Sequence, residues 1–102
     1  MINLYKNGNL ELTLDGKIEN NVFISNNIIY DLEKKTLIRN QDGYILTLNF
    51  GNNEGIIELT EYGQTLPLKI EIVEIIVNDK GHNIKYKIES DEDILNELEF
   101  IF

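Results

Sequence analysis

Hydrophobic and polar residues alternate along much of the chain. Leu10, Leu12 and Leu14 alternate with Glu11 and Thr13, and the same period recurs from Tyr44 to Phe50. Alternation with a period of two is typical of β-strands that bury one face. It also occurs in residues 66–72, 84–88 and 98–102. These five segments are predicted to be half-buried strands.

Shorter apolar segments and frequent turn signals fill the remainder. Further strands are predicted in residues 22–24, 28–32, 36–38 and 56–60. Turn-forming residues separate the segments, at 7–9, 15–16, 42–43, 53–55 and 78–81, and the asparagine doublets at 20–21, 26–27 and 52–53 are also interpreted as turns. Turn signals about 8 to 12 residues apart favour an antiparallel all-β sandwich or barrel. Residues 1–102 are predicted to form one such domain.

Three segments depart from simple alternation. Ile72 and Val73 are consecutive apolar residues in a long strand, which predicts a β-bulge where a barrel would bend. Residues 90–96 are predicted to form a single helical turn, because Ser90 is a suitable cap and acidic residues follow it. Pro67 lacks a backbone donor, so it is expected at a sheet edge or at the start of a strand.

Charge and composition narrow the range of partners. The net charge is −9, so the chain is a poor match for nucleic acid or an anionic membrane surface. It contains no cysteine, which excludes disulfides and thiolate metal sites. The N-terminus lacks the pattern of a signal peptide, and no apolar run reaches the roughly 18 residues of a spanning helix. A cytoplasmic location is expected.

The residues that might support catalysis form no recognisable motif. The acidic pairs Glu58 with Glu61 and Glu71 with Glu74 could in principle be hydrolytic. Outward-facing positions are predicted for Glu71, Lys69, Lys85, Lys87 and Glu97, where opposite charges across strands need no catalytic role. The one histidine, His82, is expected in a solvated hairpin loop. Residues 90–93 lack the spacing of a calcium loop. The sequence therefore predicts a protein that is not an enzyme and has no catalytic residue, metal or cofactor.

Aromatic residues lie at inward positions of several predicted strands. They are consistent with two interpretations, a filled core or a barrel interior that holds a small apolar ligand. The candidate ligand-binding residues of such an interior are Tyr30, Arg39, Tyr44, Leu48, Phe50, Leu68, Ile70, Tyr86 and Phe100.

The segment IRNQDGYILTLNFGNNEGIIELTEYGQTLPLKIEIVEIIVNDKGHNIKYKI resembles the YwiB-like domain of unknown function, a family of small bacterial proteins. The features that carry the resemblance are, in order, Arg39, Phe50 with Gly51, the corner Thr60, Tyr62 and Gly63, the turn at Gly81, and the strand Ile84, Tyr86 and Ile88. The resemblance implies an antiparallel up-and-down β-barrel of lipocalin or calycin type with about eight strands. This chain is shorter, particularly between Tyr30 and Arg39, so the barrel is expected to be shortened or incompletely closed.

Two functions follow as expectations. The resemblance implies no reaction, because the family has no established activity. The leading expectation is a non-enzymatic cytoplasmic barrel protein that binds a small, partly apolar molecule. The alternative is a structural or protein-interaction module that acts through an exposed strand edge or through self-association. The protein is expected to be a monomer or a weak homodimer.

Overall fold

The computed structural model describes all of residues 1–102 and contains eleven β-strands and no helix. The prediction of an all-β protein is therefore confirmed. The strands are β1 (Ile2–Lys6), β2 (Asn9–Leu14), β3 (Lys17–Glu19), β4 (Val22–Ile24), β5 (Ile28–Asp31), β6 (Thr36–Gln41), β7 (Tyr44–Asn49), β8 (Glu54–Leu59), β9 (Gln64–Asn78), β10 (Gly81–Ile88) and β11 (Asp91–Ile101).

All eleven strands form one antiparallel sheet in the order β2-β1-β11-β10-β9-β8-β7-β6-β5-β4-β3. The two outermost strands, β2 and β3, are consecutive in the chain but do not pair. The curled sheet is therefore an open half-barrel. Incomplete closure was expected, whereas the strand count exceeds the expected number. The strands that the sequence pattern did not identify are β1 and β3, and β3 has only three residues, too few for alternation to be recognised.

Two-residue turns containing asparagine connect neighbouring strands tightly. Asn20 and Asn21, between β3 and β4, both have positive φ, at 52° and 63°. Asn7 and Gly8, between β1 and β2, have φ of 50° and 82°. Two successive residues with positive φ match the twist of a hairpin, and asparagine and glycine adopt this conformation most readily. The interpretation of these segments as turns is confirmed.

The long strand β9 joins the two halves of the sheet. Its first part pairs with β8, and its second part pairs with β10. Ile72 lies opposite Tyr86 while Glu74 lies opposite Lys85, so Val73 is the extra residue of a bulge. This confirms the predicted bulge.

Pro67 lies inside β9 and not at its start. It lies opposite Ile56 of β8, whereas on the other side β10 reaches only as far as the pair of Ile88 with Ile70. Pro67 therefore has a strand neighbour on one side only, and the lack of a backbone donor is tolerated there. The expected edge position is confirmed, because this part of β9 is a local edge.

The predicted helical turn at residues 90–96 is wrong, because this segment is extended and belongs to β11. Ser90 lies in the hairpin turn, and Asp91 pairs with Ile88. Asn7 and Leu95 exchange hydrogen bonds, from Asn7 N to Leu95 O at 2.8 Å and from Leu95 N to Asn7 Oδ1 at 2.9 Å. An isolated helical turn is only marginally stable, whereas β11 is paired on both sides.

The core lies between the two halves of the curled sheet. Phe100 of β11 stacks on Tyr30 of β5 with ring centroids 4.0 Å apart, and it meets Phe23 of β4 edge-on at 5.6 Å. Aromatic pairs in such arrangements contribute beyond the area that they bury. The buried hydrophobic residues are Ile2, Leu4, Phe23, Ile28, Tyr30, Leu37, Leu48, Phe50, Ile70, Ile84, Tyr86, Leu98 and Phe100.

The outer face is polar over one half of the sheet. Thr13 Oγ1 donates to Asn3 Oδ1 at 2.7 Å, and Asn3 Nδ2 donates to Glu99 Oε1 at 2.8 Å. Opposite charges also face each other across strands, as in the pairs Glu71 with Lys87 and Lys85 with Glu97. This arrangement agrees with the prediction that these charges face outward. Pairing of opposite charges across strands explains their positions.

The outer face of the other half carries an uncharged row that we call the isoleucine ladder. Its members lie opposite one another on six successive strands, and they are Ile24, Ile29, Ile38, Thr47, Ile56 and Pro67. The four isoleucines are 39 to 44% exposed. With strands about 4.8 Å apart, the ladder is about 24 Å long.

Candidate functional site

Most of the candidate ligand-binding residues contribute to the packed core. Six of the nine are buried: Tyr30, Leu48, Phe50, Ile70, Tyr86 and Phe100. Leu68 packs against the edge of this cluster, and Tyr44 is half-buried at the start of β7. The centre of the half-barrel is thus occupied by side chains. Arg39 and Tyr86 are the two candidates that meet at a cavity.

This cavity, which we call the mouth cavity, has a volume of about 310 Å³ and lies where β1, β2, β10 and β11 face β6. Two rows of side chains from the first group of strands form its wall. Lys6, Asn96 and Tyr86 lie opposite one another in the first row. The lining residues are Leu4, Tyr5, Lys6, Glu11, Leu12, Arg39, Tyr86, Asn96, Glu97 and Leu98.

The second row supplies the apolar part of the wall. It consists of Leu12, Leu4 and Leu98, opposite one another on β2, β1 and β11. Leu98 and Leu4 are buried, whereas Leu12 lies on the edge strand and is 36% exposed. The cavity therefore has an apolar side whose outermost residue remains accessible.

Arg39 provides a positive charge to this cavity. It lies on β6, where its strand partners are Ile28 and Leu46. With the Gln41 amide oriented to satisfy both groups, the Gln41 side-chain oxygen accepts hydrogen bonds from Arg39 Nη2 at 2.6 Å and from Arg39 Nε. The partner of the guanidinium is thus a neutral amide, and the other donors of the guanidinium remain available.

Tyr86 provides a hydroxyl to the same cavity. Its ring packs against Phe50 with centroids 5.1 Å apart. Burial raises the pKa of Tyr86 to about 12, although the nearby Arg39 charge acts in the opposite direction. The hydroxyl therefore stays protonated near neutral pH and can donate a hydrogen bond. Since no buried polar side-chain atom lacks a partner, this hydroxyl, which has no protein partner, is in contact with solvent.

Two carboxylates lie at the rim of the cavity. Glu97 is at an outward-facing position of β11 and accepts a hydrogen bond from Asn83 Nδ2 at 2.9 Å. Glu11 is exposed and is the extra residue where the register of β1 and β2 shifts. The rim is therefore partly acidic, while Arg39, Lys6 and Tyr86 provide hydrogen-bond donors to the lining.

His82 is buried, contrary to the expectation of a solvated loop. It is the second residue of β10 and is 7% exposed. Its Nδ1 lies 3.2 Å from the Tyr30 hydroxyl, and its ring packs against Phe102. Burial, followed by the Lys35 charge, lowers the pKa of His82. The signal for this placement was the alternation of Ile84 and Tyr86, which extends back to His82.

The first of the carboxylate pairs considered from the sequence lies on the outer face and in a turn. Glu58 lies opposite Ile45 and Thr65 on the outer face, while Glu61 lies in the turn before β9. No group of three or more His, Cys, Asp or Glu side chains is arranged to hold a metal ion. The structure contains no helix that is long and apolar enough to cross a membrane.

Comparisons with known proteins give no match, whether against family models, curated proteins or solved structures. The resemblance to the YwiB-like domain consequently rests on the residues that carry it.

Proposed function

We propose that this protein is a non-enzymatic cytoplasmic binding protein whose mouth cavity holds a small, partly apolar molecule. The observation that carries the proposal is the composition of the cavity lining, in which the leucine row lies beside Tyr86 and faces Arg39, and these two side chains offer hydrogen-bond donors. Its volume of about 310 Å³ is at the lower end of the range of ligand pockets, about 300 to 1,000 Å³.

The packed centre supports binding at the mouth rather than deep inside. Tyr30, Leu48 and Phe100 are almost completely buried and occupy the space that a central ligand would need. The resemblance to a family with a lipocalin-like or calycin-like barrel supports the same kind of function, since such barrels bind ligands in their interior or at their opening. Because the half-barrel is open, its opening remains accessible for ligand binding.

Leu12 and Leu10 offer a matched test. Leu12 lines the cavity, whereas Leu10 lies on the same strand, opposite Tyr5, and does not line it. Titration of 1-hexanol into ¹⁵N-labelled protein is expected to shift the amide resonances of Leu4, Leu12 and Leu98. Leu12→Gln is expected to weaken binding at least fivefold, and Leu10→Gln less than twofold. Shifts confined to other regions, or equal effects of the two substitutions, would refute the proposal.

Self-association through the isoleucine ladder is a second candidate function. The ladder is an uncharged, exposed row in a chain of net charge −9, so two copies meet there with less repulsion than at charged rows. With half a row spacing on each side, the stripe is about 24 Å by 7 Å, or roughly 170 Å² per copy. A stable dimer buries about 800 Å² per partner, so the ladder supports a weak homodimer.

Sedimentation equilibrium over a range of concentrations tests this second candidate. Ile38→Lys places a charge in the middle of the ladder and is expected to weaken dimerisation at least tenfold. Asn83→Lys adds the same charge to the polar half of the sheet and is expected to change it less than threefold. A monomer at millimolar concentration, or equal effects of both substitutions, would exclude this association.

The unpaired strand edges favour pairing with another chain less strongly. β3 has only three residues, and Lys17 and Glu19 lie at its ends. β2 is longer but carries Glu11 at its irregular position. Short strands, charges and bulges are features that protect a sheet edge.

A further inference from the structure

We propose that the ligand of the mouth cavity is a small monocarboxylate whose carboxylate binds Arg39 and Tyr86 and whose apolar part lies against Leu4, Leu12 and Leu98. This inference rests on the proposed function and adds the chemical class of the ligand and its orientation.

The first argument concerns the charge of Arg39. A guanidinium that is partly removed from water loses hydration, and a carboxylate partner normally offsets this cost. Here the partner in the structure is the neutral side-chain amide of Gln41, which engages Nε and Nη2. The remaining donors of the planar guanidinium match the two oxygens of a carboxylate. A ligand carboxylate would supply the charge that Gln41 does not.

The second argument concerns Tyr86. Its hydroxyl is a donor near neutral pH, as a tyrosine hydroxyl ordinarily is, and it lines the same cavity as Arg39. An ionised carboxylate has acceptors only, so it suits a site that presents donors from two sides. Lys6 lies in the same row as Tyr86 and adds a second positive charge at the cavity.

The rim limits the charge of the ligand. Glu11 and Glu97 line the outer part of the cavity and would repel a dianion such as a phosphate monoester more strongly than a carboxylate. Glu97 already accepts a hydrogen bond from Asn83 on the outer face. A single negative charge held by Arg39 fits this distribution of charges best.

The volume limits the size of the ligand. Because a water molecule occupies about 30 Å³ of the liquid, the cavity of about 310 Å³ corresponds to roughly ten water molecules. A ligand of up to about ten non-hydrogen atoms therefore fits, and hexanoate is a suitable probe. Longer chains would have to displace the buried Leu4 and Leu98, which line the cavity.

The test compares hexanoate, 1-hexanol and hexylamine by NMR titration near neutral pH. These probes share the same apolar chain and differ in the head group. Hexanoate is expected to bind at least tenfold more tightly than 1-hexanol, and hexylamine most weakly. Arg39→Gln is expected to remove the advantage of hexanoate over 1-hexanol. Tyr86→Phe is expected to weaken hexanoate binding about threefold to tenfold.

Lys85→Gln is the control for nonspecific charge effects, because it removes a cation from the outer face, where Lys85 lies opposite Glu74 and Glu97. It is expected to leave hexanoate binding within twofold. If Arg39→Gln does not fold, the comparison of the three probes on the wild type and on Tyr86→Phe decides the question.

The outcomes distinguish the two levels of the proposal. If 1-hexanol and hexanoate bind the mouth equally, and neither Arg39→Gln nor Tyr86→Phe alters hexanoate binding, the carboxylate inference is overturned while the proposed function stands. If none of the probes shifts resonances at the mouth, both are overturned.

Discussion

The rings of Tyr30 and Phe100 lie nearly parallel, with an interplanar angle of 15° and centroids 4.0 Å apart. Tyr30 belongs to β5 and Phe100 to β11, and these strands are six places apart in the order of the sheet. The stack therefore connects the two halves of the half-barrel across its interior. It also explains why the centre of the molecule is packed and why the cavity lies at the mouth.

Phe100→Ala is expected to lower the free energy of unfolding by about 3 to 5 kcal/mol, because it removes a buried ring and leaves a cavity. Urea denaturation measures the change. Tyr62→Ala is the control, since Tyr62 is 74% exposed in the turn before β9 and its replacement is expected to cost less than about 0.5 kcal/mol. A loss below about 1 kcal/mol for Phe100→Ala would contradict the packing of the two halves.

Gly16→Ala is expected to destabilise the protein by about 1 to 3 kcal/mol through overpacking. A Cβ at Gly16 would lie 2.5 Å from the Ile24 carbonyl oxygen and 2.6 Å from Phe23 Cζ, so the connection between β2 and β3 would have to move. Thermal unfolding provides the measurement.

Gly51→Ala is the matched control for Gly16→Ala. A Cβ at Gly51 would meet first the Asn49 side chain, at 3.1 Å, and this side chain is able to give way. Equal destabilisation by the two substitutions would show that the connection at Gly16 is not tightly packed.

The strands and bends were predictable where a local pattern determined the structure. The alternation from Tyr44 to Phe50 identified β7, and the consecutive Ile72 and Val73 identified the bulge. Residues 90–96 were mispredicted because the acidic start resembles a helix N-terminus, whereas pairing with β1 and β10 determines the outcome. This pairing depends on contacts between the chain ends, which no local pattern records.

The candidate site was predictable only in part, for the same reason. Tyr86 was identified from its strand as an inward-facing residue, and Arg39 was a candidate residue of the barrel interior; both line the mouth cavity. Their apolar counterparts Leu4 and Leu12 were not identified. They reach the cavity because β1 pairs with the last strand, as in the pair of Ile2 with Phe100. The long-range pairing of the first and last strands assembles the cavity.

Asn21 tests the tight turn between β3 and β4. Its φ of 63° is accessible to asparagine and glycine but unfavourable for a β-branched residue. Asn21→Val is expected to cost about 1 to 3 kcal/mol, whereas Asn21→Gly is expected to be neutral or slightly stabilising, since Asn-Gly suits this turn. Chemical denaturation of both variants provides the comparison. A cost for glycine as large as for valine would contradict the positive φ.

His82 is expected to make the protein less stable as the pH falls below about 6.5. Burial lowers the pKa of His82 in the folded state, so the unfolded chain, in which the pKa has its ordinary value of 6.5, binds the proton more readily. The Tyr30 hydroxyl lies 3.2 Å from Nδ1 and shares a hydrogen bond with it. The contribution of the neutral imidazole is thus fully present above the unfolded pKa and decreases as the pH falls.

His82→Gln separates this effect from the titration of the many acidic residues. The free energy of unfolding of the wild type and of His82→Gln is measured by urea denaturation between pH 5 and pH 8. The difference between the two proteins is expected to be constant above about pH 7.5 and to change in favour of the variant below about pH 6.5. A difference that does not vary with pH would show that His82 has the same pKa in the folded and unfolded states, and hence that burial does not perturb it.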